Sequence, residues 1–178
     1  MGTQSDFLVR LAKSTGHVDF EAVYQTELPR VYNFFRYRLG DDQTAEDLTA
    51  ETFEKAWRHR ARYRDDLASF STWLFTIARR VATDYFRKRR ATLPLDEAEW
   101  ISNPQTLEDR AQERTEYAHL SVLLARLAER ERELVALKYG AGLTNRAIAR
   151  ISGLSESNVS TILSRVTHQL RAQLENEP

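Results

Sequence analysis

FSTWLFTIARRVATDYFRKRR, residues 70–90, is the segment from which the rest of the chain can be interpreted. Its apolar residues recur at helical spacing and predict one long helix with an apolar stripe, formed by Leu74, Ile77, Ala78, Val81 and Tyr85. Ser71 is expected to cap the start of this helix, because a serine hydroxyl accepts a hydrogen bond from a free backbone N–H. Four cations, residues 87–90, end the segment. The pattern leaves two interpretations equally open, a nucleic-acid surface and a core helix with a solvated cationic end.

Composition narrows the class of protein. The chain has 178 residues, of which 42% are hydrophobic and 29% are charged, enough for both an apolar core and a charged surface. Because 26 Lys and Arg balance 26 Asp and Glu to a formal net charge of +0, any attraction to nucleic acid must come from local clusters. The absence of cysteine excludes disulfides, thiolate metal sites and a thiol nucleophile, and it fits a reducing cytoplasm.

The distribution of chain breakers predicts an all-α protein. Only 6 Gly and 4 Pro interrupt long segments of helical period, which leaves few turn signals for a β-protein. Residues 1–19 lack the uninterrupted apolar core of a secretory signal. No run approaches the roughly 20 apolar residues that a membrane span needs. We therefore expect a cytoplasmic protein with no membrane insertion.

Two small helical domains joined by a flexible linker are predicted. Residues 1–18 form an N-terminal extension, residues 19–90 the first domain, residues 91–105 the linker and residues 106–178 the second domain. The linker is assigned from two prolines, an acidic cluster and the loss of helical period.

Helix ends in the first domain are predicted from capping and breaking residues. Asp19 is expected to cap the first helix, Pro29 to kink or split it, and Gly40 to end it. Thr44 is followed three residues later by Asp47, which resembles a capping box that opens the next helix.

Residues 144–165 carry the spacing of a helix-turn-helix. Ala149 is small where two helices would cross, Gly153 would supply a turn with positive φ, and Val159 would pin the second helix to the first. Such a motif commonly places its second helix in the major groove of DNA. The alternative is an ordinary helical hairpin with a glycine turn.

Three segments, in this order and spacing, resemble the extracytoplasmic-function group of bacterial RNA polymerase sigma factors. They are AEDLTAETFEKAW at residues 45–57, FSTWLFTIAR with DYFR at residues 70–79 and 84–87, and ERELVAL at residues 131–137 leading into the helix-turn-helix. The resemblance covers residues 19–90 and 117–174 and implies the minimal kind of sigma factor, built from regions two and four. It implies core RNA polymerase and promoter DNA as partners, an anti-sigma factor as a regulator, and no cofactor.

The resemblance assigns roles in region two. The acidic helix would dock on the polymerase through Asp47, Glu51, Thr52 and Phe53. Aromatic platforms and a cationic track suit a strand that must be held open, and a flipped base needs a pocket. The matching DNA-binding residues are Arg62, Tyr63, Ser69, Phe70, Trp73, Arg79, Arg80, Arg87, Lys88, Arg89 and Arg90.

Region four departs from the family pattern. Members of this group usually place several Lys or Arg on the recognition helix, whereas here only Arg165 is cationic and Glu156 lies near the helix start. We expect weak electrostatic affinity for the minus-thirty-five element, so the first domain must carry more of the promoter binding. The candidate DNA-binding residues are Arg146, Ser155, Ser157, Asn158, Ser160, Thr161, Ser164 and Arg165.

The predicted function is therefore promoter recognition and initiation of transcription. No Gly-rich phosphate loop or paired metal-binding histidines occur, so we expect no enzymatic activity, no metal and no cofactor. Two alternatives stay open: a sigma-like protein whose second domain mainly binds an anti-sigma factor or another copy of itself, and a stand-alone helix-turn-helix repressor. The acidic linker segment, residues 96–100, would either thread the basic RNA path of the polymerase or act as a tether.

Overall fold

The computed structural model describes residues 20–92 and 113–176 and confirms the all-α prediction for them. These two segments are called the first half and the second half below. The predicted extension 1–18, the Asp19 cap and the acidic linker segment 96–100 lie outside the described residues. The helices are α1 (Phe20–Leu39), α2 (Asp42–His59), α3 (Phe70–Thr92), α4 (Glu113–Ala125), α5 (Glu129–Val135), α6 (Asn145–Ser152) and α7 (Glu156–Asn176). A 3₁₀ turn (Arg60–Arg62) follows α2, and a π-helical turn (Ala136–Gly140) follows α5.

Helices α1 and α2 confirm the predicted end at Gly40 and correct the predicted split at Pro29 and cap at Thr44. Pro29 does not split α1, which continues to Leu39 with Pro29 on its exposed side, and Gly40 ends it with φ 71°. Helix α2 is capped by Asp41, whose side chain accepts a hydrogen bond from the Thr44 N–H at 2.9 Å. The predicted cap at Thr44 is therefore wrong, because the helix already begins at Asp42 and Thr44 lies inside its first turn.

Helix α3 is capped two residues earlier than predicted. Ser69, rather than Ser71, accepts a hydrogen bond from the Thr72 N–H at 3.3 Å, and the Ser71 hydroxyl donates instead to Glu27 on α1. The predicted apolar stripe is correct: Leu74, Ala78 and Val81 are buried, and Ile77 and Tyr85 are half-buried against the same core.

The helix-turn-helix prediction is confirmed in geometry. Thr144 caps α6 by accepting a hydrogen bond from the Ala147 N–H at 3.2 Å, and Gly153 makes the turn with φ 73°. Ile148 and Val159 are fully buried between α6 and α7. The predicted residue types therefore occupy the positions that hold two crossing helices together.

The two halves pack against each other around one connected apolar core. The π-helical turn lies on α1, and the backbone there is so close that a Cβ on Gly140 would stand 2.8 Å from the Asn33 carbonyl oxygen. Only glycine permits this approach. Within residues 20–92 and 113–176, no helix combines the length and apolar character that crossing a membrane requires.

Candidate nucleic-acid and polymerase interfaces

The start of α3 and the preceding loop bring three predicted DNA-binding aromatics together. The rings of Tyr63, Phe70 and Trp73 lie 5.3 Å apart in each pair, and all three are half-buried. We call this cluster the aromatic corner. Because each ring keeps part of its surface in water, the cluster can still receive an unstacked base.

Two aromatics that sequence reasoning assigned to packing support the aromatic corner from behind. The Phe20 ring lies 5.2 Å from Trp57 and 5.5 Å from Phe70, in edge-to-face contacts. The Arg60 guanidinium stacks over the Trp57 ring at 4.1 Å. The sequence signal for this support is Phe20, an aromatic residue at the first position of α1. Because helix starts lie near the surface, a large ring there needs other rings to pack against.

The loop beside the aromatic corner is held by its own hydrogen bonds. The Tyr63 hydroxyl donates to the Ala68 carbonyl at 3.2 Å, and the Arg64 guanidinium donates to both Asp66 carboxylate oxygens at 3.1 and 2.7 Å. Burial and the nearby Asp65 carboxylate raise the pKa of Tyr63. Leu67 projects from this loop with 59% of its surface exposed.

Predicted cations continue along α3 from the aromatic corner. Arg80 and residues 87–90 are exposed, and Arg62 and Ser69 lie exposed on either side of the loop. The Arg87 guanidinium also pairs with Asp84 at 2.9 Å. The structure therefore places aromatic platforms and a cationic track on one helix, the arrangement that binding of a single strand requires.

Arg79 and Arg90 are engaged by the second half. Arg79 Nε lies 2.9 Å from a Glu133 carboxylate oxygen, and Arg90 Nη2 lies 2.6 Å from Glu129. Arg38 lies between the same two acids, at 3.6 Å from Glu129 and 3.7 Å from Glu133, and donates to the Glu129 carbonyl at 2.7 Å. We call these five residues the interdomain ion cluster.

Two members of the interdomain ion cluster are buried, so their charges depend on each other for compensation. Arg38 is 3% exposed and Glu133 is 6% exposed. Burial lowers the pKa of Arg38, whereas the neighbouring Glu133 and Glu129 carboxylates raise it. Removing one partner from such a pair leaves a buried charge uncompensated. Sequence reasoning missed this cluster because its members come from helices far apart in the chain.

The predicted polymerase-binding residues divide into two groups. Asp47 is exposed, and the partly exposed Glu51 pairs with Lys55 at 2.8 Å. Thr52 is fully buried and donates to the Leu48 carbonyl, and Phe53 is 7% exposed against the Tyr24 ring at 4.7 Å. Tyr24 itself is 44% exposed, so it presents the aromatic surface that had been expected from Phe53.

Helix α7 presents a polar outer face. Its predicted DNA-binding side chains are exposed, namely Ser157, Asn158, Ser160, Thr161, Ser164 and Arg165, as is Ser155 before it. Ser155 accepts a hydrogen bond from the Asn158 N–H at 3.1 Å and so caps the helix.

The two predicted cations of this region lie against acids of the same half. Arg165 pairs with Glu131 at 2.5 Å, and Arg146 lies 3.5 Å from Glu156. These pairs lower the net positive charge of an already weakly basic face. No cluster of potential metal ligands occurs among the described residues.

Comparison with known proteins matches two separate segments of the chain to known families. The Sigma-70 region 2 family matches residues 23–92, and the Sigma-70 region 4 family matches residues 123–172. The chain is 31% identical over 173 residues to the ECF RNA polymerase sigma factor BldN of Streptomyces coelicolor, covering 96% of this chain and 66% of that protein. It is 29% identical over 153 residues to SigM of Bacillus subtilis, covering 85% of this chain and 93% of that protein.

Two solved structures share the fold. The sigma factor RpoE, crystallised with the anti-sigma factor NepR from Bartonella quintana, has a TM-score of 0.67 at 23% identity, covering 90% of this chain and 99% of that one. CnrH, in complex with the cytosolic domain of CnrY, has a TM-score of 0.66 at 23% identity and covers 97% of both chains. These structures show the fold, and the two Sigma-70 family matches with the identity to BldN show that the chain belongs to the extracytoplasmic-function group of RNA polymerase sigma factors.

Proposed function

We propose that this chain is a promoter-specificity subunit that directs RNA polymerase to promoters and helps to open the DNA. The observation that supports this most directly is the aromatic corner followed by the cationic track on α3. Duplex DNA presents phosphates to the track, while only unpaired bases can stack on the corner rings. A surface that binds the open strand better than the duplex lowers the free energy of opening.

Binding to core polymerase would use the exposed acidic side of α2. Asp47 and Glu51 supply negative charge, and Tyr24 supplies an aromatic contact next to them. We propose that this side docks on a basic helical segment of the polymerase. The chain would have no catalytic activity of its own, and it would act in the cytoplasm, where the polymerase and the chromosome are.

The packing of the two halves suits a resting form rather than a promoter-bound one. Arg79 and Arg90, both proposed DNA contacts, hold Glu133 and Glu129. Phosphates and these carboxylates would compete for the same guanidinium groups. We therefore propose that the second half moves away from α3 before the promoter is engaged, and that an anti-sigma factor prevents this movement.

A second candidate keeps the family but changes the role of the second half. Arg165 and Arg146 both pair with acids, so the outer face of α7 has little free positive charge for phosphates. That face would then bind mainly a protein, and the first half would carry promoter selection. A stand-alone repressor is less well supported, because it leaves the acidic side of α2 and the aromatic corner without a use.

Run-off transcription with core polymerase tests the proposal. The chain is added to core enzyme with a pool of promoter fragments, and a Phe70→Ala, Trp73→Ala variant serves as the matched control. We expect transcripts from a defined subset of promoters with the wild-type chain and few with the variant. If neither chain yields transcripts while both bind core enzyme, the promoter-opening role is wrong; an equal yield from both would remove the aromatic corner from the mechanism.

A further inference from the structure

Glu27 is a buried carboxylate that the proposed promoter contacts do not use. It lies on α1 and is 6% exposed. Among the described residues, Glu133 is the only other acid that is buried to this extent. Arg30 Nη1 donates to both carboxylate oxygens of Glu27, at 2.8 and 2.9 Å. A buried carboxylate is unfavourable unless it is paired and hydrogen-bonded, so its position depends closely on these partners.

Glu27 and Arg30 form a hydrogen-bonded set with a third residue, Ser71, which lies in the first turn of α3. Its hydroxyl donates to Glu27 and accepts a hydrogen bond from Arg30 Nη1 at 2.9 Å. Ser71 directly follows Phe70 and stands two residues before Trp73, and both of these carry rings of the aromatic corner. The negative charge of Glu27 also suits the positive end of the α3 dipole.

Other contacts at the first turn of α3 constrain its orientation relative to α1 less strongly. Ser69 and Thr72 hydrogen-bond to each other at 2.9 Å, which shapes the turn itself but does not tie it to α1. The Phe20 ring touches Phe70 from α1, but an apolar ring contact sets distance better than direction. The directional bonds described between α1 and the start of α3 are therefore the two that Ser71 makes, as donor to Glu27 and as acceptor from Arg30, and Glu27 holds both partners.

We infer that Glu27 is a positioning residue for promoter opening, which orients the aromatic corner through Ser71. The inference rests on the proposed function, since it assigns the corner to the open strand. Arg30 extends the set to the second half, because its Nε donates to the Ala141 carbonyl at 2.8 Å. Arg30 therefore connects the docking of the second half with the start of α3.

The test uses Glu27→Gln in the full-length chain, which keeps the size of the side chain and an acceptor for Ser71 but removes the charge. Glu175→Gln, an exposed site near the end of α7, is the matched control. The first measurement is the fluorine NMR signal of Trp73 in protein labelled with fluorotryptophan, without polymerase or DNA. The second is opening of a duplex promoter by the assembled holoenzyme, followed by permanganate reactivity, beside run-off transcription by the same holoenzyme from a promoter with a preformed bubble.

We expect Glu27→Gln to shift the Trp73 signal and to lower duplex opening on the order of tenfold, as loss of a charge-assisted hydrogen bond would. The loss should be much smaller on the preformed bubble, and Glu175→Gln should behave as wild type. If Glu27→Gln does not fold, Ser71→Ala removes only the hydroxyl and should shift the Trp73 signal in the same way.

Two results would overturn the inference: an unshifted Trp73 signal, or equal losses on both promoters together with weaker binding to core polymerase, which indicates general damage. Failure of the proposed function looks different, because the wild-type chain would then neither open the duplex promoter nor direct transcription from the preformed bubble. In that case the Trp73 signal alone decides whether Glu27 positions the corner.

Discussion

The protonation state of Tyr117 can report whether the two halves are in contact. It lies on α4, its hydroxyl donates to the Arg36 carbonyl on α1 at 2.7 Å, and the Arg36 guanidinium lies 3.5 Å from the centre of its ring. Burial raises the pKa of Tyr117 above its ordinary value of 10.0. The protonated hydroxyl is therefore favoured in the folded protein, where it keeps a donor for the carbonyl.

The Tyr117→Phe variant should change how stability depends on pH. Near neutral pH we expect it to cost about 1 kcal/mol, the net value of a hydrogen bond. Because the folded pKa is raised, the stabilisation from Tyr117 is complete below pH 10.0 and is lost as pH rises through the folded pKa. Urea unfolding of both proteins below and above pH 10.0 measures this, and a difference that stays constant across that range would contradict it.

Asp41 allows a second prediction at this scale. Its carboxylate caps α2 at the Thr44 N–H, so Asp41→Ala should lower the free energy of unfolding by about 1 kcal/mol. Asp41→Asn keeps a capping oxygen and should cost only a few tenths. Thermal or urea unfolding measures both variants. Equal losses would mean that the negative charge, rather than the capping hydrogen bond, stabilises the start of α2.

At the scale of helices, α3 combines the proposed promoter contacts with packing, whereas α7 presents hydroxyls and few unpaired cations. The cations of α3 are Arg79, Arg80 and residues 87–90, and in the contacts described above Arg79 and Arg90 reach the second half. The recognition helix offers Arg165, already paired with Glu131. Counterion release should therefore depend mainly on α3.

Charge removal on the two helices should have unequal effects. Alanine at Arg87, Lys88 and Arg89 together leaves Arg90 and its pair intact, and we expect promoter binding to fall by on the order of tenfold or more. Arg165→Ala breaks an exposed pair and should reduce binding by no more than about threefold. Run-off transcription and filter binding over a salt series measure both, with a shallower salt dependence expected for the triple variant. The reverse order of effects would show that α7 dominates.

The helices themselves were largely predictable from the sequence, because apolar spacing and glycine turns are local signals. The stripe of α3 and the positive φ at Gly153 follow from residue type and spacing alone. Caps were less predictable, since Asp41 and Thr44 are both good capping residues and only the geometry decides between them. The ion cluster and the bond from Ser71 to Glu27 were beyond prediction, because they join residues that are remote in sequence.

On the scale of the whole molecule, packing of the second half on α1 and α3 is the feature that would determine access to the proposed promoter contacts. Beside the shared apolar core, three kinds of contact accompany this packing: the interdomain ion cluster, the Arg30 and Tyr117 hydrogen bonds, and the backbone approach at Gly140. The first two are polar and compete with solvent or DNA, while the third is steric. The steric contact offers the cleanest way to separate the halves.

Gly140→Ala should open the molecule without touching a proposed promoter contact. The new methyl group would stand 2.8 Å from the Asn33 carbonyl oxygen, and backbone atoms cannot move aside easily. We expect the variant to lose about 1–3 kcal/mol of stability, as overpacked sites do. It should nevertheless bind promoter DNA with core polymerase more strongly than wild type, and the pKa of Tyr117 should return towards 10.0.

Gly142→Ala is the control for that experiment. Gly142 has φ 65°, so alanine is strained there, but no atom lies within 4 Å of the new methyl group. This variant should lose stability without any gain in promoter binding. If Gly140→Ala also only loses activity, the packed arrangement does not restrain promoter binding.

The packed form that the close approach at Gly140 permits also affects which small molecules a screen for ligands would select. A compound that binds the packed form and not the separated one raises the melting temperature, by mass action. That form keeps Arg79 and Arg90 on carboxylates. An activator would bind the separated folded form instead, and because that form is the less populated one, the activator raises the melting temperature less at the same intrinsic affinity. A thermal-shift screen would therefore rank inhibitors of transcription above activators, so a search for activators should follow promoter binding rather than melting temperature.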